Sequence, residues 1–305
     1  MANSYDLRVH DEKGRLDKYI SDKIPDLSRT RVKELVKDGN ILVNSKKEKV
    51  SYKVQENDQI FVSVPAVKPL NIKPEDIPLD IIYEDADVIV VNKPQGMVVH
   101  PSAGHPDHTL VNALLYHTRN LADSPEGFRP GIVHRIDKDT SGLLMIAKNA
   151  KARESLEDQL AHKTNKRQYL AIVHGNFGED DGLVDAPIGR NPHDRKKMAV
   201  VENGKNAITH FKVLEQFKGY SLIMCQLETG RTHQIRVHMA YIGHPVAGDP
   251  LYGPRKTLKG KGQFLHAKVL GFEQPTTHEW LEFQVNPPHI FEERLSELRK
   301  KQVTK

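Results

Sequence analysis

Two hydrophobic rhythms divide this chain, and the change falls near residue 80. From about residue 13 to 65 apolar positions are sparse and mixed in period. Leu16, Tyr19 and Ile20 recur at helical spacing and predict a helix over 16–24. Val32, Leu35 and Val36 form one face of a second helix over 29–37, with Ser28 placed to cap its start and Gly39 to stop it. Period-two runs at 41–44 and 59–64 predict strands, joined through a lysine-rich turn. Residues 66–79, preceded by Pro65, hold Pro69, Pro74 and Pro78 with few large apolar groups, and read as a linker. From 80 to 290 the apolar positions come in unbroken runs. Strands are predicted at 87–91, 143–147, 169–174, 210–214, 221–227, 264–272 and 280–285. Asn149 caps a helix over 150–163 whose inner face carries Ala152, Leu156 and Leu160. Strands outnumber helices and do not alternate with them, so the fold class is α+β with a mixed or antiparallel sheet. Residues 291–305 read as a charged tail containing a short helix.

Composition narrows the setting. The chain has 305 residues, 38% hydrophobic and 28% charged, which suits a globular protein with room for two domains. No apolar run reaches the length of a membrane span, and residues 1–10 lack the apolar core of a signal peptide. The single cysteine, Cys225, follows Leu222, Ile223 and Met224 and is expected in the core, which excludes a disulfide framework and a cysteine zinc site. A cytoplasmic monomer is the expectation. The net charge is +5, and residues 1–75 carry 15 Lys and Arg against 12 Asp and Glu. Arg29, Arg31, Lys33 and Lys37 decorate the polar faces of the second helix, with Lys46 and Lys47 in the turn beyond it. A solvated helix face is the usual reason for such charges; a phosphate-binding face is the sharper one.

Chemistry concentrates in three segments. His134-Arg135-Ile136-Asp137 is followed by Thr140-Ser141-Gly142 and then an apolar strand, so Asp137 sits on a loop pinned to a sheet. On spacing alone a surface turn with a salt bridge explains the loop equally well. The second segment is 166–171, with Tyr169. The third and longest runs from Leu227 through Gly230, Arg231, His233, Gln234, Arg236 and His238 to Gly248-Asp249-Pro250. His233 and His238 are five apart, poor spacing for two ligands on one helix face, and no metal site is expected. No phosphate-binding loop, dinucleotide fingerprint or Gly-x-Ser-x-Gly elbow occurs, so neither a nucleotide cofactor nor a serine hydrolase is implied. One acid remains, with arginines able to hold it ionised and a tyrosine able to stack on a base or move a proton.

These segments resemble known families. Gly14-Arg15-Leu16-Asp17, Ser28-Arg29 and 39–44 are similar to an S4-type RNA-binding domain. Asn92-Lys93-Pro94 with Gly96, then 134–142, then 230–238, in this order and spacing, resemble the motifs of the RluA family of RNA pseudouridine synthases. The S4-like start, residues 103–107 and the basic segment containing Arg195, Lys196 and Lys197 make the chain most similar to the D-type, large-subunit ribosomal RNA branch. Isoleucine at 136 stands where leucine is common, a swap that keeps volume.

The resemblance implies that Asp137 acts on the ribose, that Tyr169 stacks on the target uracil and helps remove its C5 proton, and that Arg236 pairs with Asp137. It implies that Arg135 enters the RNA helix in place of the flipped nucleotide. His134, Asn92, Lys93, Arg231, His233 and Gln234 are expected around the substrate, and Arg195, Lys196 and Lys197 on the RNA. The implied reaction breaks the C1′–N1 bond, turns uracil over and rejoins it through C5, with no cofactor. Asp137 either attacks C1′ or takes the ribose 2′-proton, and the sequence does not choose between these routes. A non-catalytic S4-bearing ribosome-assembly factor, and a glycosidase that releases free uracil, are the alternative classes.

Overall fold

The computed structural model describes residues 3–25, 27, 29–64, 72–102, 104–124 and 129–303. Ser28, the expected helix cap, and Pro65 and Pro69 of the expected linker lie outside these. The chain divides into two compact units, residues 1–68 and 69–305.

The first unit holds β1 (Asn3–Arg8), β2 (Gly14–Arg15), α1 (Leu16–Lys23), α2 (Arg29–Lys37), β3 (Ile41–Val43), β4 (Lys53–Val54) and β5 (Gln59–Val64). The sheet order is β1-β5-β3, antiparallel throughout, with β2 and β4 paired separately. Leu16 and Ile20 of α1 and Val32 and Leu35 of α2 share one core with Ile41, Ile60 and Val62. Gly39 takes a positive φ of 77° at the end of α2, where a side chain would be strained. The compact unit extends N-terminal of the expected start near residue 13: β1 pairs with β5 over its whole length, so the unit reaches at least to Asn3. Its alternation was too polar to stand out.

In the second unit the elements are β6 (Ile81–Glu84), β7 (Val88–Lys93), α3 (Leu110–His117), β8 (Ser141–Ala147), α4 (Ala150–His162) and β9 (Lys166–His174). They continue with β10 (Asp181–Asp185), β11 (Ile188–Arg190), β12 (Met198–Val200), β13 (Ile208–Phe217), β14 (Tyr220–Leu227), α5 (Gln234–Tyr241), β15 (Leu265–Glu273), β16 (Trp280–Gln284) and α6 (His289–Val303). The main sheet runs β10-β13-β14-β9-β15-β8-β7-β6, and β16 adds to β15. Its ladders are antiparallel except one: β15 meets β8 in parallel at His266 and Ala267, then turns to β16 from Val269 onward. The fold is therefore α+β with a mixed sheet.

Both faces of the sheet are buried at its central strands β7, β8, β9, β14 and β15, which is why these read as largely continuous apolar runs. Ile89, Val91, Leu144, Ile146, Tyr169, Ala171, Ile223 and Cys225 face a core shared with α3 and α5. Val88, Val90, Leu143 and Met145 face α4, and Leu170, Ile172 and Leu222 face α6. Asn149 caps α4 by accepting from the Ala152 N–H at 2.9 Å.

Two expectations change here. Residues 291–303 are not a free charged tail: Phe291, Leu295 and Leu298 of α6 are buried against the sheet. The second half of the expected linker is also laid on the unit. Ile72 and Leu79 pack on its core, the Glu75 N–H donates to Asn112 O, and Asn112 Nδ2 donates to Lys73 O. Among the described residues no helix is long and apolar enough to cross a membrane.

Candidate active site

The loop from 134 to 140 is fixed from both sides. Ile136 is buried in the core, so its neighbours Arg135 and Asp137 are driven outward. Lys93, 1% exposed, donates from Nζ to the carbonyls of Pro94, Met97 and Lys138 at 2.8, 2.9 and 3.0 Å. Gly96 N–H also donates to Lys138 O, and Gln95 Nε2 donates to Asp139 O. The loop ends at Gly142, whose φ is 110° and where a Cβ would stand 2.2 Å from Ala267 O. Only glycine lets β8 lie against β15 at that point.

Asp137 opens into a cavity of about 390 Å³ lined by Tyr169, His134, Arg135, Arg167, His233 and Arg236, among others. Arg236, in the first turn of α5, donates from Nη1 to Asp137 Oδ2 at 2.8 Å. Its Nε and Nη2 donate to the two oxygens of Asp249 at 2.7 and 2.9 Å. Asp249 is wholly buried and also accepts from the Leu251 and Tyr252 N–H groups. One guanidinium thus braces one carboxylate bidentately and presents a single N–H to the other. Despite burial, this double pairing raises the Arg236 pKa still further.

His233 has a left-handed backbone, φ 57°, and its Nε2 lies 3.8 Å from Asp137 Oδ1. Its Nδ1 is 2.8 Å from the Tyr252 hydroxyl, which accepts from the Met198 N–H. Of the two neutral tautomers, the one with Nε2–H toward the Asp137 carboxylate avoids setting a lone pair against a negative charge, and it leaves Nδ1 to accept from the Tyr252 hydroxyl. Burial, outweighing the Asp137 charge, holds the His233 pKa below its usual value, so the ring is neutral. Tyr169 is 6% exposed, and burial raises its hydroxyl pKa, which keeps the phenol protonated.

The predicted residues separate into groups. Asp137, Tyr169, Arg236, His134, Arg135, Arg231, His233 and Gln234 all line the cavity. Arg135 is exposed at it. Gln234 is saturated by Thr229, Arg231 N–H, Ile208 O and Thr209, and so shapes the wall. His134 Nε2 accepts from the Met145 N–H, and desolvation pushes its pKa down to about 3, which keeps it a neutral strut. Asn92 and Lys93 depart from the expected substrate contact. Asn92 bonds Asp80 at 2.8 Å outside the cavity, and the three Lys93 donors are already used on the loops.

Among the cations of the first unit, Arg29 pairs with the buried Asp17 at 2.9 Å, Lys33 lies 4.0 Å from it, and Arg31 pairs with Glu34. Lys37, Lys46 and Lys47 are exposed. Arg195 and Lys196 are exposed and Lys197 half-buried on the β11–β12 connection. Two residues of the site were not anticipated in their roles: Asp249, signalled only by a Gly-Asp-Pro turn, and Arg167. Among the described residues no three His, Cys, Asp or Glu side chains converge as a metal site.

Residues 87–241 match a family model described as RNA pseudouridylate synthase, and residues 14–60 match the S4 domain. The chain is 54% identical to the RNA pseudouridine synthase YlyB of Bacillus subtilis (strain 168), over 98% of this chain and 99% of that one. It is 47% identical to ribosomal large subunit pseudouridine synthase D of Neisseria meningitidis serogroup B, over 94% and 79%. A solved structure, human RNA pseudouridylate synthase domain containing 1, superposes with a TM-score of 0.59 at 30% identity, over 70% of this chain and 85% of that one.

Proposed function

This chain belongs to the RNA pseudouridylate synthase family and is an RNA pseudouridine synthase, and we propose that Asp137 is its reacting carboxylate and large-subunit ribosomal RNA its substrate. The observation that carries the first part is the Arg236–Asp137 bond of 2.8 Å. It joins residues 99 apart in sequence, inside the one cavity that also holds Tyr169. Arg236 occupies Oδ2, which leaves Oδ1 facing the cavity beside His233. An oxygen so placed can attack ribose C1′ or accept the 2′-proton. Tyr169 supplies the platform for the uracil, and Arg135 fills the space the uridine leaves on flipping, offsetting a cost of a few kcal/mol. The S4 domain and the similarity to D-type synthases support the choice of RNA.

Asp137→Asn is expected to abolish isomerisation while RNA affinity stays within about threefold, because most contacts to RNA are made to phosphates elsewhere. Wild-type turnover by that variant removes Asp137 from the chemistry. A map of pseudouridines in ribosomal RNA, from cells with and without this protein, tests the substrate. An unchanged large-subunit pattern refutes it.

A further inference from the structure

Two of the arginines that line the cavity are in opposite states. Arg236 is fully paired. Arg167 is 6% exposed, yet among the described residues no hydrogen bond or ion pair of its guanidinium is found, and its Nε is buried without a partner. It lies two residues before Tyr169 on β9, and so on the same face of the sheet. Room for it is made by Gly230, where a Cβ would stand 2.9 Å from Arg167 Nη1. A buried, unpaired guanidinium is costly to keep, and its burial lowers its pKa. Such a group in a reaction cavity, beside an aromatic platform, is accounted for by an electron-rich partner that arrives with the substrate.

We propose that Arg167 is a catalytic residue that binds an oxygen of the flipped uracil and stabilises the charge the ring acquires when C1′–N1 breaks. The proposal rests on the assignment of Asp137 above. On either route through Asp137 the electron pair of the C1′–N1 bond leaves with the base, so the ring becomes an anion with charge on N1, O2 and O4. C1′ is held meanwhile as an ester of Asp137, or as a glycal after Asp137 takes the 2′-proton. C5 then bonds to C1′, the ester bond breaks or the 2′-proton returns, the C5 proton leaves to a base, and N1 gains a proton. Atoms and electrons balance, with no co-reactant. The ring carries a full negative charge from the breaking of C1′–N1 until C5 bonds to C1′, and again between loss of the C5 proton and protonation of N1; the first of these is the charge assigned to Arg167. A ribose phosphate is the other oxygen anion of the substrate, but it stays with the solvated backbone, whereas Arg167 is in a dry wall on the Tyr169 face.

The test uses the full chain under single turnover, with total RNA from cells lacking this protein, grown with or without 5-fluorouracil. The readout is loss of the N1-linked nucleoside. Fluorine withdraws electrons and makes the ring a better leaving group, so it needs less help. Arg167→Gln is expected to lower the saturating rate on uridine RNA by about 10²–10³, with little change in the RNA concentration for half-saturation. The loss is expected to shrink at least tenfold on fluorouridine RNA. Arg167→Lys is expected to recover part of the rate. Gly230→Ala, which displaces only the far end of the guanidinium, is expected to give the same pattern in milder form. An equal loss on both RNAs, with weakened RNA binding, overturns the proposal in favour of a phosphate contact. Misfolding of Arg167→Gln with normal kinetics in Gly230→Ala overturns it in favour of a structural cation. Wild-type kinetics in Arg167→Gln beside an inactive Asp137→Asn overturns it and leaves the Asp137 assignment standing; an active Asp137→Asn removes that assignment instead.

Discussion

At the residue scale the site turns on how one guanidinium divides its donors. Asp249 takes two N–H groups of Arg236 and Asp137 takes one. Without Asp249, Arg236 is free to close on both oxygens of Asp137, including the one proposed above to react. Asp249→Asn is therefore expected to cost kcat on the order of ten- to hundredfold, the scale of a lost charge-assisted bond, with KM for RNA nearly unchanged. Steady-state kinetics on folded protein checks this, and a wild-type kcat means Arg236 holds its orientation without Asp249. Asp137, Tyr169 and Arg236 were legible because acid, aromatic and arginine lie in segments whose order matches a family. Asp249 was not, because Gly248-Asp249-Pro250 reads as a turn and nothing in sequence points a turn aspartate at a particular arginine. Arg167 was hidden by Lys166 before it. In a strand the two side chains leave on opposite faces, and only the sheet shows that one is half-exposed and ion-paired with Glu282 while the other is enclosed.

At the element scale, legibility followed how a segment satisfies its polar groups. Strands β7, β8 and β9 are apolar on both faces and announce themselves. Helix α5 does not, because Gln234, Arg236 and His238 are buried polar residues that interrupt its apolar period. His238 is held by Thr209 and Ala186 O, each at 2.9 Å, a structural pairing that no hydropathy pattern encodes. A similar pairing fixes the parallel junction of β8 and β15. His266 Nε2 donates to Val285 O, and its Nδ1 accepts from the Ser141 hydroxyl at 2.9 Å, where β8 leaves the Asp137 loop. Burial pushes the His266 pKa down to about 4. Between the unfolded value near 6.5 and that value, the unfolded chain binds a proton that the folded chain refuses. Stability is thus lost as pH falls across this window, by about 1.4 kcal/mol per unit from this group. His134 and other buried histidines add to the same slope, so the informative quantity is a difference. Urea unfolding of wild type and His266→Gln at several pH values between 7 and 4 is expected to show a shallower acid slope in the variant. Parallel slopes exclude His266 as a contributor.

At the scale of the molecule, the chain joins two units with separate cores, residues 1–68 and 69–305. All residues assigned to the reaction, and Arg167, lie in the second. The first contributes a surface on which Arg15, Arg29 and Lys33 gather around one buried carboxylate, Asp17. Burial acts to raise the Asp17 pKa, but hydrogen bonds from Arg15 and Arg29 outweigh it and hold the carboxyl below its usual range. One carboxylate cannot neutralise three cations, so the cluster keeps excess positive charge with its heads about half exposed. Each phosphate contact made by such a cluster releases counterions, and its loss lowers the salt dependence of binding by about one unit of slope on duplex RNA. Deleting residues 1–68 is therefore expected to leave a folded 69–305 that binds RNA roughly tenfold to a hundredfold more weakly, with a salt slope shallower by about three. At saturating RNA the single-turnover rate is expected to stay within about threefold, since no group that touches the reacting uridine is removed. Binding titrations at several salt concentrations separate this from a catalytic role. An unchanged slope means the S4 unit contributes no phosphate contacts, and a saturating rate that falls with the deletion means the second unit depends on the first for its active geometry.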